Sequence, residues 1–264
     1  MTPELRRAMD FGRRMQERLS TRTEPFTWGT AFFDDRYSDR YYSNLLWVTR
    51  PLDGVTAADL AVETDRLQAG LDHRLVCIDD DDEGEGLRRG FEAVGYRAVH
   101  SVTMVHRREP DRGSGRLPVE EVDWPTLRPV VEESFRGEPS GGDEDVIRSL
   151  ADHGRLRGEI IGARYFAARA EGGIASFCYL FVDGDDAQVE DVYTLEAFRG
   201  RGLAREVILR AVTEARAAGC GFVFIGADEE DWPKHLYGKL GFDPVGRSWE
   251  FLRWPDERPP SSVM

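Results

Sequence analysis

Two stretches of this chain share one internal design. RLVCIDDDDEGEGLRRGFEAVGYRAVHSVTMVHRR (residues 74–108) lies over FVFIGADEEDWPKHLYGKLGFDPVGRSWEFLRW (residues 222–254). Each has an apolar strand, an acidic turn, a short helix, a glycine and a second strand. Gly95-Tyr96 falls on Gly241-Phe242, and Phe91 falls on Tyr237. Stacked solenoids need at least about three copies. Two copies point instead to a duplicated domain, and a chain of 264 residues has room for two modest units.

The better-defined half follows a polar linker, Arg108–Arg116. Leu117–Val122 reads as a short strand. Asp123 can cap a helix running to about Phe135, with Pro125 in its first turn. Gly137–Gly142 reads as a loop and Asp143–Leu156 as a second helix. Arg164–Ala170 and Ile174–Val182 form a hairpin around Gly172-Gly173. Ala187–Thr194 is a third strand. A long amphipathic helix follows, Leu203–Ala218, with Val207, Ile208, Leu209, Ala211, Val212 and Ala215 as its apolar stripe and Gly219 at its end. Gly221–Ala227, Trp232–Leu240 and Pro244–Trp254 close the half as strand, helix and strand. The first half reads as a helix over Pro3–Leu19, strands over Phe26–Phe33 and Tyr41–Val48, a helix over Thr56–Leu71, a strand over Arg74–Asp79, a helix over Gly86–Val94 and a strand over Arg97–Arg107. These readings divide the chain into residues 1–108, 117–254 and a tail, Pro255–Met264.

Composition excludes several functions. The net charge of −14 argues against nucleic acid, since phosphate binding wants a basic surface. An acidic surface weakly favours a cationic substrate, and is also simply a solvated face. No apolar run approaches the ~20 residues of a membrane span, and the N-terminus has no apolar core of a secretory signal. Cys77, Cys178 and Cys220 are odd in number and lie in apolar runs, which suits reduced core thiols of a cytoplasmic protein. His73, His100, His106, His153 and His235 show no ligand spacing, so no metal is implied. Lys234 and Lys239 are the only lysines among 35 basic residues, a bias of GC-rich bacterial genomes.

The chemistry is concentrated in VEDVYTLEAFRGRGLAREVIL. A strand ends at Thr194, and Arg199-Gly200-Arg201-Gly202-Leu203-Ala204 opens the long helix. Glycines let a ligand approach the backbone. Free N–H groups and the positive end of the dipole at a helix N-terminus hold a pyrophosphate. Arg199 and Arg201 add charge. The run lacks the Gly-Lys-Ser/Thr of a P-loop and the G-x-G-x-x-G of a dinucleotide fold.

Arg199-x-x-Gly202-x-Ala204 resembles the R/Q-x-x-G-x-G/A signature of the GNAT superfamily of N-acetyltransferases. Leu236-Tyr237-Gly238-Lys239-Leu240-Gly241-Phe242 resembles that family's L-Y-x-x-L-G-F. The order of elements over Leu117–Trp254 is similar too. The resemblance implies an α/β GNAT fold, a mixed, mostly antiparallel central sheet flanked by helices, here duplicated. It implies acetyl-coenzyme A as cosubstrate and an amine of a small molecule or peptide as acceptor, with no nucleic-acid or membrane partner, and leaves a homodimer open. Backbone groups of Val192, Tyr193 and Thr194 would bind the pantetheine arm, and one N–H would hold the thioester oxygen. Gly200, Arg201, Gly202, Leu203 and Ala204, with Arg199, would bind the pyrophosphate. Tyr237 would protonate the departing thiolate.

Other roles stay open. Glu190 is the candidate base, on the expectation that it shares a strand face with Gln188, Val192 and Thr194 while Asp191 points away. It could instead bind the acceptor, with water carrying the proton. Family members often carry Asn ahead of the last helix. Here Asp231 can cap that helix beside Pro233, and Trp232 packs either on the cofactor or in the core. The first half resembles a decayed copy: Arg50-Pro51-Leu52-Asp53-Gly54-Val55 has one glycine, and Phe91 lacks the hydroxyl of Tyr237. An enzyme is the first reading. The alternative is a non-catalytic acyl-coenzyme A sensor, and a donor such as succinyl-coenzyme A would serve the same loop.

Overall fold

A computed structural model describes residues 1–113, 115, 117–137 and 143–254. The tail from Pro255, most of the loop expected at Gly137–Gly142, and two positions of the linker lie outside the described residues. The chain forms two compact units that are not consecutive in sequence. The first comprises Met1–Thr103 with Asp228–Glu230 and residues 245–254, and the second comprises Met104–Ala227 with Asp231–Pro244.

The elements are α1 (Pro3–Leu19), β1 (Arg22–Phe26), β2 (Gly29–Phe33), β3 (Leu45–Val48), α2 (Ala57–Leu67), β4 (Arg74–Ile78), α3 (Asp81–Ala93), β5 (Arg97–His106), β6 (Val119–Val122), α4 (Trp124–Arg136), α5 (Glu144–Ile161), β7 (Arg164–Ala170), β8 (Gly173–Asp183), β9 (Asp186–Thr194), α6 (Leu203–Ala217), β10 (Phe222–Asp228), α7 (Pro233–Lys239) and β11 (Phe242–Arg253). The result is mixed α/β and mostly antiparallel. Both units follow one plan. In the first, β1–β2 and β2–β3 are antiparallel and β3–β4 parallel. In the second, β7–β8 and β8–β9 are antiparallel and β9–β10 parallel. A parallel pair needs a crossover, supplied by α2 and by α6. The second unit adds β6 on the outer edge of β7.

The C-terminal strand serves the first unit. Trp249–Arg253 pairs antiparallel with Ile78–Arg74. Trp249 and Phe251 thereby join Phe91, Tyr96, Leu60, Val76 and Ile78 in one buried cluster. Phe91 stacks on Phe251 with ring centroids 4.1 Å apart. Gly84 of α3 faces this strand, and a Cβ there would overlap the Trp249 ring.

Several elements differ from the sequence reading. Phe26–Phe33 is a hairpin rather than one strand, because Phe26 pairs with Gly29 and the chain turns at Thr27-Trp28. Tyr41–Ser43 is a 3-10 turn, and only Leu45–Val48 is strand. Asn44 causes the break: its side chain donates to the carbonyls of Tyr37 and Arg40 and accepts the Asp34 N–H. Helix α3 begins five residues earlier than expected, at Asp81. The Asp80 carboxylate accepts the Glu83 N–H, and three acidic residues in the first turn suit the helix dipole, which outweighs the poor propensity of Gly84 and Gly86. Helix α5 runs on to Ile161, where Gly162 ends it at φ +67°.

Phe251 is fully buried between Phe91 and the strand face. Phe251→Ala should therefore lower stability by about 3–5 kcal/mol in urea unfolding of the first unit, the usual cost of an aromatic-sized cavity. A loss below about 1 kcal/mol would mean that β11 is not part of that core.

Candidate active site

Strands β8 and β9 pair in two blocks that are out of step. Phe177 lies opposite Tyr193 and Ser176 opposite Thr194, while Tyr179 lies opposite Glu190 and Leu180 opposite Val189. Between the blocks, Cys178 faces two residues, Asp191 and Val192. This is a β-bulge, one residue too many on β9. Asp191 accommodates it at φ +49°.

The bulge exchanges the faces of β9. Paired residues of antiparallel strands share a face. Gln188, Glu190 and Tyr193 therefore lie with Phe181, Tyr179 and Phe177, whereas Val189 and Thr194 lie with Leu180 and Ser176. The second face meets α6, where Cys178 donates its thiol to the Val207 carbonyl at 3.3 Å. The first face meets α5, whose Arg157 guanidinium lies 5.4 Å from the Phe181 ring centre and 5.9 Å from that of Tyr179. The expectation that Glu190 shares a face with Thr194 is thus corrected, because the extra residue reverses the alternation beyond it. Asp191 does not point away either: its carboxylate pairs with Arg157.

The parallel ladder between β9 and β10 runs from Asp186–Phe222 to Val189–Ile225 and stops there. It stops one residue before Glu190, so that edge of Val192, Tyr193 and Thr194 is not laddered to β10. Extended chains bind at edges of this kind by strand-like hydrogen bonds. At the end of β9 the Arg199 side chain donates to the Thr194 carbonyl at 3.3 Å, and its guanidinium lies over Tyr193. Arg201 reaches Glu171 and the Ala197 carbonyl.

Helix α6 opens without a side-chain cap, on Gly202 at φ +84°. Its first intrahelical bond runs from Glu206 N–H to the Gly202 carbonyl. That leaves the N–H groups of Leu203, Ala204 and Arg205 without intrahelical acceptors. Gly200, at φ +76°, precedes them, and a Cβ built on either glycine would meet nothing within 4 Å. The residues therefore fit a pyrophosphate: open space, two left-handed glycines and free N–H donors converge. Glu206, in the first turn of α6, accepts the Gly115 N–H at 2.7 Å.

Tyr237 is buried, 6% exposed, with its ring 6.3 Å from that of Phe242. Burial, followed by the Glu190 carboxylate, pushes the phenol pKa above its ordinary value, so the group holds its proton at neutral pH. Glu190 is pushed from 4.5 to about 7, first by burial and then by the Asp191 charge, against the pull of Arg157 and the Gln188 amide. Trp232 is 61% exposed, which removes the core alternative for it. It occupies the cap position of α7 itself, and Asp231 accepts the Trp232 N–H instead of capping the helix. His235 is exposed. Among the described residues no group of histidine, cysteine, aspartate or glutamate could hold a metal ion, and no helix is long and apolar enough to cross a membrane.

Helix α2, at the corresponding place in the first unit, opens differently. Thr56 and Asp59 form a reciprocal capping box, and the Glu83 carboxylate accepts the Leu52 N–H. Phe91 is a fully buried core residue.

Residues 124–242 match the model of the acetyltransferase (GNAT) family. The chain is 31% identical over 183 residues to a mycothiol acetyltransferase of Thermobifida fusca (strain YX), covering 57% of each protein. It thus spans little more than half the length of that relative. A GCN5-related N-acetyltransferase from Kribbella flavida shares the fold over 97% of both chains, with a TM-score of 0.58 at 15% identity. A conserved protein of unknown function from Staphylococcus epidermidis covers 88% of this chain and 92% of its own, with a TM-score of 0.69 at 16% identity. The match to the acetyltransferase (GNAT) family lies within residues 124–242, less than half of the chain.

The sequence reading missed the bulge and Arg157. The signal available for the bulge was the adjacent pair Glu190-Asp191, which breaks the polar–apolar alternation of Asp186–Glu190.

A carboxyl whose folded pKa exceeds its unfolded one favours folding fully only below the unfolded value and loses that contribution as pH rises through the folded value. For Glu190 the window runs from 4.5 to about 7. Glu190→Gln should therefore melt above the wild type at pH 8, with the difference vanishing near pH 4. A pH-independent difference would show that Glu190 is not held in this environment.

Proposed function

We propose that the second unit transfers an acetyl group from acetyl-coenzyme A to an amine, and that the first unit binds no coenzyme A. The observation that carries this reading is the uncapped start of α6, with Gly200 and Gly202 at positive φ, beside the end of β9 that is not laddered to β10. Glu190 titrates near neutrality, and Tyr237 remains a protonated phenol within its field. Groups pushed to separate pKa values in this way divide the roles of base and acid between them. The backbone of Val192, Tyr193 and Thr194 would hold the pantetheine arm and the thioester oxygen, and Arg199, Gly200, Arg201, Gly202, Leu203 and Ala204 the pyrophosphate. Exposed Trp232 would lie against the cofactor. Acetyl-coenzyme A supplies the activated acyl carbon. Glu190 takes the proton that the amine loses as its nitrogen bonds to that carbon. Tyr237 gives a proton to the sulfur as the carbon–sulfur bond breaks. The products are an amide and a free thiol. The acceptor is an amine of a small molecule or peptide.

The capping box supports asymmetry between the units, because the Thr56 hydroxyl already accepts the Asp59 N–H and the Asp59 carboxylate, accepting the Thr56 N–H, places a negative charge where a phosphate would sit. Calorimetry should find one coenzyme A site per chain, abolished by Gly202→Glu. Two sites of similar affinity would refute the asymmetry.

Tyr237→Phe should lower kcat at least about tenfold in a thiol-release assay with an accepted amine, within the roughly 10²–10⁴-fold range of general acid catalysis after partial replacement by water. Coenzyme A affinity should change little. Wild-type turnover in this variant would make Tyr237 a packing residue. Tight binding of acetyl-coenzyme A with no turnover across a broad amine screen would favour a sensor.

A further inference from the structure

Among the described residues, the two non-glycine residues with positive φ differ in what explains them. Glu171, at φ +52°, sits beside Gly172 in the turn between β7 and β8, where a left-handed residue is ordinary. Asp191, at φ +49°, lies inside a strand, where no turn requires it. Something must hold it. Its side chain pairs with Arg157, which α5 presents over the aromatic face of β8. The pair is made through the Arg157 Nη1, while the Arg157 Nε is buried without a hydrogen-bond partner among the described residues. Removing one member of such a pair leaves a buried charge uncompensated, whereas removing both does not.

The geometry points to Arg157 as a positioning residue that locks Asp191 in the left-handed conformation and so maintains the bulge that presents the Val192–Thr194 backbone to coenzyme A. The inference rests on the acetyltransferase reading for its catalytic consequence, and on the Arg157–Asp191 pair alone for its structural one. Groups facing Glu190 here are Gln188 and Asp191 on β9, Arg157 on α5, Tyr179 on β8 and Tyr237 on α7. Without the Arg157 charge, the neighbouring carboxylates of Asp191 and Glu190 repel. The proton on Glu190 is then harder to remove, and the acidic limb of the rate profile moves to higher pH.

Four proteins test this: wild type, Arg157→Met, Arg157→Met with Asp191→Gly, and Arg157→Met with Asp191→Ala. Both double variants remove the unpaired charge. Only glycine adopts positive φ without a steric cost. Amide hydrogen exchange over Glu190–Thr194 should speed up at least about tenfold in Arg157→Met, as local opening becomes easier. It should return to near the wild-type rate in the glycine double variant and stay fast in the alanine one. In thiol release, kcat should fall roughly 10²-fold in Arg157→Met, as on loss of an aligned oxyanion donor, and recover to within about threefold of wild type with glycine only. Equal behaviour of the glycine and alanine variants would overturn the lock, as would wild-type exchange in Arg157→Met. If the wild type itself releases no thiol with any amine, the acetyltransferase reading fails, and the exchange rates still decide the lock.

Discussion

Strand β9 carries one residue more than β8 can pair, and the site is arranged around that surplus. From Asp186 to Val189, β9 is laddered on both sides, to β8 and to β10. Downstream it is laddered to β8, and the β10 ladder has ended. A bulge increases local twist and bends its strand, which is what a sheet requires if two parallel neighbours are to part without losing the core beneath them. The core is kept: Val189, Ile225, Val207 and Leu203 are all buried. The same surplus places Glu190 and Tyr193 on one face and Thr194 on the other.

That arrangement explains why the sequence carried the outline of the site better than its orientation. The opening of α6 was legible, because two glycines between a strand and an amphipathic helix permit few alternatives, and both adopt positive φ. The side on which Glu190 points was not, because period-two reasoning assumes an unbroken ladder and fails by a whole face when one residue is added. Arg157 was invisible for a different reason. It is one of many arginines, and only packing of α5 against β8 distinguishes it from those on the surface. The hairpin at Thr27-Trp28 escaped notice because its glycine, Gly29, answers to close approach. A Cβ on Gly29 would overlap the Trp47 carbonyl.

Charge in the site follows from burial more than from pairing. Glu190 and Asp191 are adjacent acids that share one cation, and Arg157 is claimed directly by Asp191. Glu190 is left with the Gln188 amide and a distant share of the guanidinium, so desolvation dominates its titration. The Tyr237 phenol, buried nearby, is held protonated partly by that same carboxylate. A carboxyl pushed toward neutrality and a phenol held protonated thus both follow from burial first and from their neighbours second.

The two crossover helices show what such a site gives up. A Thr or Asp cap contributes about 1 kcal/mol by satisfying N–H groups at a helix start. Helix α2 takes that stabilisation twice over through Thr56 and Asp59, and its unit is further closed by Phe91 and the Phe251 strand. Helix α6 forgoes it: glycine stands at the cap, no side chain accepts from the first turn, and the space ahead is open. Nothing in the packing of α6 demands this, since its buried stripe would be served as well by a capped start. An uncapped N-terminus on the best-buried helix of its unit is a local cost that an anion can offset, and the capped helix of the other unit shows that the same plan of strands and crossover does not impose it.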